Sequence, residues 1–148
     1  MSAEQNKEVV RRILDEFWHN GKQGIIDELF APDYVNYDLS NPEAHGRDKF
    51  KAWANGVRDA WTKGFLGWRI TIEDLIAEGD QVAKRYTIRG THNGEFMGIP
   101  PTGKSAMMTG VTIYRFGSDG RVTSIRWNYD AFGLLTQLGA TVEAHAHA

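Results

Sequence analysis

The chain has 148 residues and a formal net charge of −2, with its Lys and Arg dispersed; this length holds one hydrophobic core, so a single domain over 1–148 is expected, and the charge pattern excludes a nucleic-acid footprint and offers no patch for a membrane surface. The absence of cysteine excludes a disulfide framework and a thiol nucleophile and fits a reducing compartment. The opening MSAEQNKEVVRRILDEF is amphipathic rather than signal-like and no stretch reaches membrane-spanning length, so a cytoplasmic protein is the expectation.

The first helix is expected to start at Ser2, where Ser2 and Gln5 have capping-box spacing, and to bury Val9, Val10, Ile13, Leu14 and Phe17 before stopping near Asn20 and Gly21. A second, short helix from Gly24 to Phe30 is closed by Pro32. Tyr34 to Asp38 alternates as a strand, with Asn36 and Asp38 on one face and Val35 and Tyr37 on the other. After the loop SNPEAHGR, a third helix from Asp48 to about Trp61 spaces Phe50, Trp53, Val57 and Trp61 by three or four residues. These rings read first as core, and Trp53 and Trp61 are large enough to wall a ligand cavity as well.

Beyond Gly67 the period changes to alternation. Trp68–Ala77, Gln81–Thr91, Lys104–Phe116 and Arg121–Tyr129 read as four long strands, two of the links being hairpin turns that make neighbours antiparallel. Three helices followed by a curved antiparallel sheet give an α+β cone with a hollow, the helices covering one face. Apolar residues fall on both strand faces: Ile70, Ile72 and Ile76 against Leu75, and Met108 and Tyr114 against Val111 and Ile113. That pattern predicts a homodimer through the uncovered face. The tail from Thr141 is expected to fray, and His145 and His147 in it are too few to argue for a metal.

Two stretches carry candidate chemistry. In GTHNGEFMGIPPTGK, His92 ends a strand, level with Val82, Lys84, Tyr86 and Ile88. It reads equally as a hydrogen-bonded structural residue and as a proton carrier or oxyanion donor. Phe96, Met97, Ile99 and two prolines give this loop an apolar underside suited to a lid or a core plug. In RVTSIRWNYDAFGLLTQLGA, Ser124, Arg126, Asn128 and Asp130 share one face of a strand that opens into a short apolar helix, and Ile125, Trp127 and Tyr129 share the other. From the local pattern Asp130 reads first as the N-cap of that helix, and second as a proton-transfer group in a lined pocket. No histidines have metal-ligand spacing on one element, no glycine-rich phosphate loop precedes a helix, and no serine sits in a nucleophile elbow.

GTHNGEFMGIPPTGK and DAFGLLTQLGA strongly resemble the paired motifs of the SnoaL-like polyketide cyclase (ester cyclase) family, a branch of the nuclear-transport-factor-2-like superfamily. The resemblance extends more loosely to the N-terminal helices, the Tyr34–Asp38 strand and Gly46-Arg47. It implies a cone-shaped α+β barrel with a hydrophobic pocket for a small molecule, commonly dimeric, without cofactor or metal. Family members close the last ring of an aromatic polyketide by intramolecular aldol condensation, with an aspartate near the end of the final strand as acid/base. By position that aspartate is Asp130, the pocket histidine is His92, and the polar residue of the first strand is Asn36. The expected catalytic set is therefore Asp130, His92 and Asn36, with Trp53, Trp61, Phe96, Met97, Tyr37, Asn128 and Arg126 binding substrate. One departure is Arg126, where many relatives carry tryptophan; an inward Arg126 beside Asp130 would hold that carboxyl ionised.

Two alternatives stay open. Arg126 and Asp130, with Asp38 or Asp74, resemble the Asp, Arg and Asp set of epoxide hydrolases of the same superfamily, and require a second carboxylate facing Asp130 across the pocket. A domain of this fold can also bind a small ligand or dimerise without catalysis.

Overall fold

A computed structural model describes residues 2–39 and 44–141 of the chain. His145 and His147 lie outside the described residues. Helix α1 spans Ala3–Arg12 and starts as its sequence dictates: the Ser2 hydroxyl accepts from the Gln5 amide, and the Gln5 side chain accepts from the Ser2 amide. It runs on as a π-helical segment, Ile13–His19, whose wider turn buries both Phe17 and Trp18. The stripe expected from the sequence ended at Phe17, whereas Trp18, four residues after Leu14, is buried with it.

Helix α2 covers Gly24–Leu29 and strand β1 follows at once as Phe30–Tyr37. Pro32, expected to follow a helix end, lies inside β1 where its pairing slips between Phe30 and Val35, a place that needs no amide donor. A two-residue strand β2, Ala44–His45, precedes helix α3, Arg47–Gly64. Strands β3 (Phe65–Glu78), β4 (Gln81–His92), β5 (Ser105–Phe116) and β6 (Val122–Tyr129) lead into helix α4, Ala131–Gln137.

The six strands form one curved sheet in the order β2-β1-β6-β5-β4-β3. The β3 to β6 pairings are antiparallel, as the hairpin turns require. The departure from the expected antiparallel sheet is β1, which joins β6 in parallel. Its partner lies far along the chain, so no local turn signals the pairing.

The inner face packs on the helices. One cluster joins Val10, Phe17, Ile26, Phe30 and Phe50 to Tyr114 and Ile125 of the sheet, and a second gathers Trp61, Phe65, Tyr86, Phe96 and Leu134. A register shift between Ile72 and Asp74 reverses the faces of β3. Ile70 and Ile72 point inward before it and Leu75 and Ala77 after it, while Ile76 is 66% exposed. The expected grouping of Ile76 with Ile70 and Ile72 is corrected by this bulge. On β5 alternation holds without a break, so Met108 and Tyr114 are buried and Val111 lies outside.

Candidate active site

Between α3 and the inner sheet face lies a cavity of about 370 Å³. Its wall is aromatic: Trp18 from the π segment, Trp53 and Trp61 from α3, Trp68 from β3, Trp127 from β6 and Phe96 from the loop between β4 and β5. Trp53, Trp61, Phe96 and Met97 all line this cavity. Phe96 is buried against Trp61 and Phe65, while Met97 is 69% exposed at the rim. Met97 and Gly98, both at positive φ, form the tip of a tight turn closed by Phe96 and Ile99. Exposed Lys63 and Glu95 mark the same rim.

The floor is polar in a few places only. Tyr129 lines the cavity and its hydroxyl donates to the Asp38 carboxylate at 2.7 Å. Asp38, the first residue after β1, is buried. This contact bridges β1 and β6, and the parallel pairing that aligns Tyr37 with Arg126 is what brings it about. Beside it the Tyr86 phenol is held strongly in its neutral form, mainly by burial, and also by neighbouring Tyr114, Tyr129 and Asp38. Gly110 opposite Tyr86 makes room for that phenol, since a Cβ there would stand 2.5 Å from the hydroxyl. Lys84, 2% exposed, completes the floor and donates to the Tyr114 hydroxyl at 3.1 Å.

The three residues of the expected catalytic set are not brought together. Asn36 is buried behind Trp127: its Oδ1 accepts from the Trp127 indole at 2.6 Å and from the Tyr34 hydroxyl at 2.7 Å. It fixes a wall tryptophan rather than facing the cavity. His92 is fully buried, its Nδ1 bound by the Thr102 amide and hydroxyl, and its ring tilted against Phe65. It pins the two ends of the loop that carries Phe96 and is absent from the cavity wall. Asp130 is exposed and caps α4, its Oδ1 accepting from the Gly133 amide at 2.8 Å. Its neighbours Tyr129 and Ala131 line the cavity, and its own carboxylate does not.

Arg126 and Asn128 share the outer face of β6 with Asp130, and Arg126 lies over the Tyr37 ring at 4.1 Å. Alternation explains this: with Trp127 and Tyr129 inside, residues 126, 128 and 130 must point out. Arg126, Asn128 and Tyr37 therefore lie away from the cavity. Asp74 pairs with Arg85 on the surface, so the Asp, Arg and Asp set is not assembled around Asp130. Among the described residues no three His, Cys, Asp or Glu side chains converge as metal ligands.

Trp18, Trp68, Trp127, Lys84, Tyr86 and Tyr129 line the cavity without having been assigned to the site from the sequence, and Asp38, offered there only for the epoxide-hydrolase alternative, stands behind Tyr129. The signal for Lys84 and Tyr86 was their place in the inward row with Val82 and Ile88. For the contact between Asp38 and Tyr129 there was no local signal.

The sequence profile of the family described as SnoaL-like polyketide cyclase matches residues 8–138. Aklanonic acid methyl ester cyclase DauD of a Streptomyces species (strain C5) is 27% identical over 136 residues, covering 89% of this chain and 80% of that protein. The solved wild-type IdmH of Streptomyces antibioticus is 32% identical with a TM-score of 0.74, covering 92% of this chain and 99% of its own. A SnoaL-like structure from Jannaschia sp. CCS1 superposes with a TM-score of 0.77 at 27% identity over 95% of both chains.

Proposed function

The chain belongs to the SnoaL-like polyketide cyclase family, and from that premise we propose that it closes a ring in a hydrophobic, aromatic carbonyl compound by intramolecular aldol condensation, without a cofactor. The observation that carries this reading is the cavity: an aromatic wall of tryptophans with the phenols of Tyr86 and Tyr129 on its floor, and behind Tyr129 the buried carboxylate of Asp38, which accepts the Tyr129 hydroxyl hydrogen. Aldol closure needs a proton taken from carbon next to one carbonyl and a proton given to the alkoxide formed from another. The Tyr129 oxygen, whose hydrogen already points to Asp38, accepts the first as it passes its own to the carboxylate, and the reverse transfer supplies the second. Tyr86, kept neutral, donates a hydrogen bond to the enolate oxygen as charge develops there. The tryptophan wall excludes water and holds the two carbonyl-bearing arms together.

A second assignment keeps the same reaction and uses Asp130. It is favoured by the position of that residue between Tyr129 and Ala131, both on the cavity wall, and it requires the carboxylate to leave the α4 amide and turn inward. The expected homodimer also remains part of this proposal. It is supported by Val111, 38% exposed, and Met107, 37% exposed, on the outer face of β5.

The test is a panel of tricyclic aromatic β-keto esters bearing a second carbonyl arm, followed by chromatography for ring closure and by tryptophan fluorescence for binding. The account expects saturable quenching from Trp53 and Trp127 together with closed product. Binding without closure of any member would leave a ligand-binding domain, and no binding would remove the reading altogether.

A further inference from the structure

Lys84 is a primary amine with nowhere to put a charge. It comes from the middle of β4, is 2% exposed and lines the cavity floor. Its one hydrogen bond among the described residues is to a neutral phenol, Tyr114. The Tyr86 and Tyr114 rings lie 5.1 Å and 5.4 Å from its Nζ. Across the strand pair it faces Thr112, and His19 of the π segment is the other titratable group close enough to feel it. No ion pair among the described residues involves it. A lysine kept only for packing would extend its stem and reach water with its amine. Here the amine itself is enclosed, next to the volume where a carbonyl ligand would sit.

We propose that Lys84 is a nucleophilic amine that forms an imine with a ketone or aldehyde bound in the cavity. The inference rests on the ring-closure reading for its ligand class, a carbonyl compound, and adds covalent activation to it. The neutral Nζ attacks the carbonyl carbon and the new N–C bond forms. The carbonyl oxygen leaves as water with one hydrogen from Nζ and one proton from solvent, which leaves an iminium. The adjacent C–H is then more acidic, its proton goes to the Tyr129 and Asp38 pair, and the resulting enamine carbon attacks the second carbonyl. Hydrolysis of the product iminium consumes one water and returns the free amine. No oxidant, reductant or metal enters the balance. Burial supports the required neutral state: it brings the amine down from 10.5 to about 7.

The experiment uses the full chain, a naphthaldehyde sized to the cavity, and sodium cyanoborohydride to reduce any iminium, with intact mass and peptide mapping as readouts. At pH 7 an ordinary exposed lysine holds roughly 10³-fold less neutral amine than one with a midpoint at that pH. The expected result is one adduct, a gain of the aldehyde less one oxygen atom, mapped to Lys84 at least about tenfold above every surface lysine. Its yield should rise through a midpoint near pH 7 and vanish in Lys84→Met. The chain's α-amine, which also titrates near neutrality, is resolved by the mapping. An adduct spread over surface lysines with Lys84 unmodified overturns the inference. Ring closure that proceeds at an undiminished rate in Lys84→Met overturns it too, while leaving the cyclase reading intact. Labelling of Lys84 in a protein that closes no ring upholds the amine and removes only the cyclase reading.

Discussion

Tyr129 and Asp130 are adjacent in the chain and belong to different environments. On the inner face of β6, Trp127 and Tyr129 give their polar hydrogens to Asn36 and Asp38, both of which are buried. On the outer face Arg126 rests on Tyr37 and Asp130 holds an amide of α4, each in contact with water. The inner polar groups are costly to bury and are kept by partners that face the cavity; the outer ones satisfy local backbone or ring neighbours. Chemistry on a bound ligand belongs with the first kind, because a donor or base works hardest where water is excluded. Support for the fold belongs with the second.

This contrast predicts stability effects of opposite sign. The largest comes from the cavity floor. Lys84 has its folded-state midpoint depressed from 10.5 to about 7, so the folded chain binds fewer protons than the unfolded one between those values. Stability from this group therefore rises with pH across that window, at about 1.4 kcal/mol per unit at most, and is flat below it. Lys84→Met removes the burden. Denaturant titrations should show the variant gaining on the parent as pH falls from 10 to 7, with no further gain below 7. A gap independent of pH would break the contrast, because the amine would then have access to water or to a counter-ion.

The smaller effect is at the outer face. Asp130→Ala deletes the α4 cap and should cost about 1 kcal/mol of unfolding free energy, with turnover changed only a few-fold. The same measurements check both numbers. A stability change near zero with turnover collapsed would move Asp130 to the inner set.

Much of the frame was legible because it depends on local signals. The Ser2 capping box, the hairpin turns, the α4 cap at Asp130 and the aromatic spacing that put Trp53 and Trp61 on one side of α3 all involve residues within a few positions of one another. The apolar character of Phe96 and Met97 in the loop between β4 and β5 was legible for the same reason. What was hidden depends on changes of period or on distance. The bulge between Ile72 and Asp74 exchanged Leu75 for Ile76. Asp38 meets Tyr129 only because β1 runs parallel to β6, a pairing with no turn between its strands. The polar row of β6 was correctly grouped by alternation, but alternation does not say which face is covered. Trp127 and Tyr129 decided that, by being too large and apolar to leave outside. His92 and Asn36 were expected in the catalytic set; in the structure the His92 Nδ1 meets Thr102 and the Asn36 Oδ1 meets the Trp127 indole.

The central claim is that the proton-transfer carboxylate is the buried one. It is tested most directly by kcat for ring closure in two isosteric variants, Asp38→Asn and Asp130→Asn. Asparagine caps a helix as well as aspartate does, so the second variant removes a carboxylate and leaves α4 intact. The account predicts that Asp38→Asn lowers kcat by about 10²–10⁴ while Asp130→Asn stays within a few-fold of the parent. A collapse of kcat in Asp130→Asn with Asp38→Asn active would contradict it, and would place the acid/base group at the rim of the cavity instead of its floor.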